Sequence, residues 1–259
     1  MRMNNPSMRR TLLRAQSGQM AVETRPATFG GIALKSVYYL GVTIVAAIAA
    51  ALLLVYAVTI EDGAMLMTVL IAAGVSGIAM LVFSLIVMFA PKTVIVCGTL
   101  YSICQGFLLG LMSLLLSLVL PGVGFAAILG TGIVFLLSVV LNKFLSTRVK
   151  NAFMQVLFVG FFSLLAVELI VFIATLATGS NVFAETYFWI QLALTVFCVF
   201  YASVMLMWEL QAANDVVQMG ADKRYEWIVA FSLSTTLVYL YIEIMELLVR
   251  FALIFGKRK

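Results

Sequence analysis

Met65-Leu-Met-Thr-Val-Leu-Ile-Ala-Ala-Gly-Val-Ser-Gly-Ile-Ala-Met-Leu-Val-Phe-Ser-Leu-Ile-Val-Met-Phe89 runs from end to end without a charged side chain. At 1.5 Å of rise per residue a helix of this length reaches roughly 37 Å, more than the roughly 30 Å of hydrocarbon in a bilayer. A helix that is apolar on every face has no side to turn to water, so the stretch reads as a membrane span. Working outward, comparable runs lie at about 36–59 before it and at about 93–119, 123–145, 150–175, 185–212 and 227–255 after it. Composition agrees with this count of seven: 64% of the residues are hydrophobic and 10% charged, against roughly 25% charged in a soluble domain. The expected fold is all-α, a polytopic membrane protein built as a bundle of about seven transmembrane helices. Residues 1–35 form a polar basic tail, 36–255 the transmembrane domain and 256–259 a short basic tail. Leu120-Pro121-Gly122 is a turn signal that makes the third and fourth runs a hairpin.

Basic residues resist translocation, so their distribution sets orientation. Arg2, Arg9, Arg10, Arg14, Arg25 and Lys35 lie in the tail, with Lys92, then Lys143, Arg148 and Lys150, then Lys223 and Arg224, in alternate loops; these are twelve of the sixteen. The intervening loops carry Glu61, Asp62 and Glu185 instead. The N-terminus is therefore expected in the cytoplasm, as part of an integral membrane protein. Arg250, Lys257, Arg258 and Lys259 break the pattern: after seven full spans they would face outward, so either the last run spans despite them or one run is re-entrant. The tail has no short apolar core ending in small residues, which argues against a cleaved signal peptide. It reads as a flexible segment lying on anionic headgroups, not as a nucleic-acid binder.

Several chemistries lack their parts. The chain has no His, and Cys97, Cys104 and Cys198 are scattered through apolar runs, so zinc sites and Ser-His or Cys-His nucleophiles are excluded and the cysteines read as small packed hydrophobes. No cofactor is expected. Gly74-Val-Ser-Gly77 imitates a serine elbow but has no base, and reads as helix packing. Gly106 and Gly110, and Gly130 one turn before Val134, are spaced for close helix contact, within the chain rather than in a dimer. The fourteen methionines read as core filler.

Four acids fall well inside predicted spans: Glu168, Glu209, Glu243 and Glu246. An ionised acid at mid-membrane costs roughly 2.5–3.5 kcal/mol on insertion scales, so such residues face polar cavities and mark ion or proton paths. Two carboxyls sharing a low-dielectric site titrate as a coupled pair near neutrality, which makes a pH switch. Protonated, they hold two helices together. Ionised, they repel, open a path and offer the oxygens calcium takes. Glu246 stands four residues before Arg250, the favourable order for a structural ion pair within one helix. Glu243 has no basic residue within a turn and is the stronger functional candidate.

The segment Arg224-Tyr-Glu-Trp-Ile-Val-Ala-Phe-Ser-Leu-Ser-Thr-Thr-Leu-Val-Tyr-Leu-Tyr-Ile-Glu-Ile-Met-Glu-Leu-Leu248 resembles the last helix of bacterial members of the Bax inhibitor-1 (transmembrane Bax inhibitor motif) family. Asn5-Pro6 with Arg9 and Arg10, Tyr101 followed by Gly106-Phe-Leu-Leu-Gly110, and the seven-run hydropathy extend the likeness over nearly the whole chain. The resemblance implies a seven-helix bundle with its last helix central. It also implies a pH-sensitive calcium leak controlled by acids on the sixth and seventh helices, here Glu209 and Glu243, which would also line the calcium path. Gln211 and Gln105 stand where acids are common, and Met65–Phe89 lacks the basic partner that some members carry.

Depth complicates the pairing. With a turn near Gly220-Ala-Asp222, Glu209 lies about 13 residues from it and Glu243 about 21, an offset of roughly 12 Å. Glu168 is the closer match in depth and stays as a rival partner for Glu243. The expected function is a channel or leak for calcium ions or protons in a bacterial plasma membrane, not an enzyme. The alternative is a regulator that binds another membrane protein, such as an ATP-dependent membrane protease. A retinal photoreceptor is disfavoured because the last run has no Lys between Glu226 and Phe255 to hold a Schiff base.

Overall fold

The computed structural model describes residues 26–60, 63–144 and 184–256. The described residues form six α-helices: α1 (Phe29–Thr59), α2 (Gly63–Phe89), α3 (Val94–Val119), α4 (Val123–Phe144), α5 (Ala184–Gln218) and α6 (Arg224–Gly256). Five helices are long and apolar enough to cross a membrane: α1 to α5. The protein is an all-α integral membrane protein whose outward apolar side chains contact the bilayer. Leu34, Val37 and Val45 on α1, and Ile71, Ile78 and Leu81 on α2, are exposed large hydrophobes of this kind. The fifth apolar run, 150–175, lies outside the described residues, and with it Glu168.

Local chemistry sets the helix ends. α1 starts at Phe29, seven residues ahead of the apolar run, because Thr28 caps it: extended at φ −129° and ψ 150°, it accepts a hydrogen bond from the Gly31 N–H through its side chain, at 3.0 Å. Lys35 thus belongs to a helix and not to the tail. α2 stops at Pro91, which opens a single 3-10 turn, Pro91–Thr93, since proline lacks the N–H a continuing helix needs. Gly122, at φ +83°, ends the turn between α3 and α4. α5 ends in a Schellman motif: the Gly220 N–H reaches the Val217 carbonyl at 3.1 Å and the Ala221 N–H the Val216 carbonyl at 3.2 Å. Gly220 takes the left-handed φ of +61° this requires. Asp222 then receives the Arg224 N–H at 3.1 Å as α6 begins.

The chain divides into two compact units. The first comprises α1, α2, α3, α5 from Glu209 onward, and α6 as far as Thr235; the second comprises α4, α5 up to Trp208, and α6 from Thr236 onward. In the first, α3 lies directly on α1. A Cβ on Gly106 would run into the Thr43 carbonyl oxygen, and one on Gly110 into that of Ala47. Ala50, Leu54 and Ala57 of α1, Val69 of α2 and Leu111 of α3 form the core beside them. In the second, a Cβ on Gly130 of α4 would meet Ile244 of α6 at 3.0 Å. Gly74 and Gly77 behave otherwise: a Cβ on either meets nothing within 4 Å, so among the described residues they do not serve the packing expected of them.

Candidate functional site

The first unit holds a buried carboxylate in an apolar helix. Glu209, on α5, is 4% exposed, and the Ser232 hydroxyl of α6 donates to its Oε1 at 2.6 Å. Glu209 and Ser232 sit at similar distances from the turn at 219–223, so the antiparallel connection of α5 and α6 brings them level. A hydroxyl donor favours the ionised form of an acid, while burial in hydrocarbon disfavours it.

The same unit contains a second buried acid. Glu226, in the first turn of α6 and ahead of its apolar stretch, is 1% exposed and ion-paired through Oε2 to the Lys35 ammonium at 2.5 Å. Its Oε1 accepts from the Thr28 N–H at 2.8 Å and from the Thr28 hydroxyl at 3.3 Å. Gly31 lies against the carboxylate so closely that no Cβ fits between them. Lys35 also donates to the Lys223 carbonyl at 3.3 Å and lies over the Trp227 ring, 4.9 Å from its centre. Burial pushes the Glu226 carboxyl up, but the Lys35 and Thr28 hydrogen bonds and the Lys35 charge outweigh it and hold the group below the usual carboxylate range. Glu226 is consequently ionised at neutral pH.

This ion pair is seated in an aromatic cluster. Tyr39 meets Trp227 and Phe231 edge to face, at 5.9 and 5.6 Å between ring centres, and Tyr101 meets Phe231 at 5.2 Å. The Tyr39 hydroxyl donates to the Val94 carbonyl at 2.9 Å. A backbone bridge between Pro26 and Asp222, with the Ala27 N–H on the Ala221 carbonyl at 2.8 Å, straps the segment before α1 to the turn before α6.

In the second unit, Glu243 of α6 shares a side-chain hydrogen bond with Tyr239, one turn earlier, and Tyr239 shares another with the buried Cys198 of α5. Glu246 and Arg250 form an i,i+4 ion pair, and Arg250 donates to the Gln191 amide oxygen at 2.8 Å. Among the described residues no group of three or more His, Cys, Asp or Glu could hold a metal ion.

Sequence reasoning singled out Glu209, Glu243, Glu246 and Arg250 but passed over Lys35, Glu226, Ser232 and Tyr239. Lys35 was grouped with the basic tail although it directly adjoins the first apolar run. Glu226 lies one residue ahead of the last apolar run, outside the spans in which buried acids were sought. The one signal available was the aromatic grouping Tyr38-Tyr39 after Lys35 and Trp227 after Glu226, which marks amphipathic anchors at helix ends. A family model described as Bax inhibitor 1 like matches residues 5–253. No curated protein and no solved structure matches the chain.

Proposed function

Because the chain belongs to the Bax inhibitor 1 like family, we propose that it is a pH-responsive leak for cations, calcium foremost, in which Glu209 is a titrating group of the ion path. The observation that carries this reading is the burial of Glu209 inside an apolar helix with a hydroxyl donor on one oxygen. An acid kept there at a cost of roughly 2.5–3.5 kcal/mol is a functional-site hypothesis by default. Glu243, with Tyr239 beside it, is the second titrating group of the proposal, and Glu168 the rival partner for it. Protonation closes the path and ionisation opens it, the ionised oxygens serving as transient calcium ligands. No resident cofactor enters the scheme. In the proposed setting, a bacterial plasma membrane, the N-terminus lies in the cytoplasm.

The test is calcium influx into proteoliposomes containing the full chain, measured against pH for the parent, Glu209→Gln and Glu243→Gln. The parent flux should rise with pH, and the Glu209→Gln flux should lose most of that dependence. A pH profile unchanged in both variants overturns the gate. Absence of flux in the parent overturns the leak and favours the regulator of a membrane protease.

A further inference from the structure

The proposed ion path does not use Glu226 and Lys35, yet the two form a buried cluster with Thr28 and the Lys223 carbonyl. We propose that the Lys35–Glu226 ion pair is a positioning device: it clamps the start of α6 to α1 and thereby presents the Ser232 hydroxyl to Glu209. The inference rests on the reading of Glu209 as a titrating group and adds to it the element that sets its environment.

The mechanical connection is short and continuous. Glu226 is tied to α1 by Lys35 and to the residue capping α1 by Thr28. One residue on, Trp227 packs on Tyr38 and Tyr39 of α1 and receives the Lys35 ammonium on its face. One turn further, Phe231 packs on Tyr39 of α1 and Tyr101 of α3, and a Cβ on Gly98 would come within 3.0 Å of the Phe231 ring. Ser232 follows directly. Six residues of helix, a rise of about 9 Å, join Glu226 to Ser232, and a helix held at both points cannot slide or rotate between them. A hydroxyl donor 2.6 Å from its acceptor is sensitive to such a displacement, because hydrogen bonds weaken steeply with distance and angle.

Lys35 and Glu226 face each other. Tyr38, Tyr39 and Tyr101 pack on this part of α6, and Glu209 faces the Ser232 hydroxyl. Because Glu226 stays ionised at neutral pH, the clamp itself does not switch there. It sets the point at which Glu209 does.

The experiment compares the parent with Lys35→Met, Glu226→Gln, Ser232→Ala, the pair Lys35→Met with Ser232→Ala, and the charge-reversed pair Lys35→Glu with Glu226→Lys, all as full chains in liposomes. Three quantities are read: trypsin cleavage after Lys223 and Arg224, the infrared band of protonated Glu209 against pH (assigned by its loss in Glu209→Gln), and calcium flux against pH. Cleavage reports the clamp directly, since the Lys223 carbonyl is the one Lys35 holds. It should be at least about tenfold faster in Lys35→Met and Glu226→Gln, and unchanged in Ser232→Ala. The midpoint of the infrared band should move up by about one pH unit in Ser232→Ala, the loss expected when a hydrogen bond to an ionised group is removed. It should move the same way in Lys35→Met and Glu226→Gln. The Lys35→Met and Ser232→Ala pair should move it no further than Ser232→Ala alone, and charge reversal should bring it part of the way back.

A midpoint that stays at the parent value in Lys35→Met and Glu226→Gln while cleavage quickens overturns the positioning role. A cleavage rate that does not change overturns the clamp. Should Glu226→Gln fail to fold, Thr28→Ala, which removes the hydroxyl on the same carboxylate, must show the same two shifts or the inference falls. If the infrared midpoint moves as stated but the parent shows no calcium flux, the inference stands and the leak falls. If flux follows Glu209 but the midpoint ignores the clamp variants, the leak stands and the inference falls.

Discussion

The two compact units each contain an ion pair, and the two pairs are built differently. Lys35 and Glu226 are 191 residues apart in the chain and nearly sealed from solvent, with side chains 10% and 1% exposed. Every oxygen of the carboxylate has a donor. Glu246 and Arg250 are four residues apart on one helix, with the acid 38% exposed. The first pair joins α1 to α6. The second would exist in almost any conformation that keeps α6 helical, because i and i+4 side chains meet on every helix. Sequence separation and burial therefore decide what an ion pair can do: a local pair adds a little to a helix, whereas a buried long-range pair specifies which helices meet and in what setting.

The sharpest way to break that contrast is Glu226→Leu, which leaves the Lys35 ammonium buried without its counter-charge. A loss of about 3–5 kcal/mol in stability is expected, measured by reversible unfolding in detergent. Acid approaches the same end by protonation. Since the Glu226 carboxyl is held below its ordinary range, its contribution is complete above the unfolded value of about 4.3 and disappears as pH falls through the lower folded value. A stability-against-pH curve should therefore show a loss on the acid side that is absent from Glu226→Gln. Gly31→Ala comes next, at about 1–3 kcal/mol, because the new Cβ forces the carboxylate out of its place against α1. Smallest is Glu246→Gln, under about 1 kcal/mol, since Arg250 retains the Gln191 amide. A Glu246→Gln cost equal to that of Glu226→Leu would erase the distinction between the two pairs.

Parts of this arrangement were legible in the chain itself. The helices were, because hydropathy sums over neighbours in sequence. The Leu120-Pro121-Gly122 turn and the close approach of Gly106 and Gly110 were too, since both depend on the absence of a side chain or of an N–H at a stated position. The start of α1 was missed by seven residues because Thr28 ends the extended segment by a cap, and a cap weighs little in a hydropathy sum. For Gly74 and Gly77 spacing says that a helix can approach, and among the described residues none does. For the site, Glu209 was identifiable as an acid in an apolar run, but Ser232 is one of several hydroxyls on α6 and nothing nearby in sequence distinguishes it.

By itself the sequence determined that this protein lives in a bilayer as a set of helices, that α3 and α4 are joined by the turn at Leu120-Pro121-Gly122, and that Glu246 and Arg250 face one another. Each of these depends on residues within a turn or a single span, where free energies follow from composition and spacing. Tertiary structure alone decided that Lys35 leaves the basic tail to neutralise Glu226, and that a serine stands opposite Glu209. A charge buried in low dielectric must find its partner wherever packing places one, and that partner can come from any part of the chain.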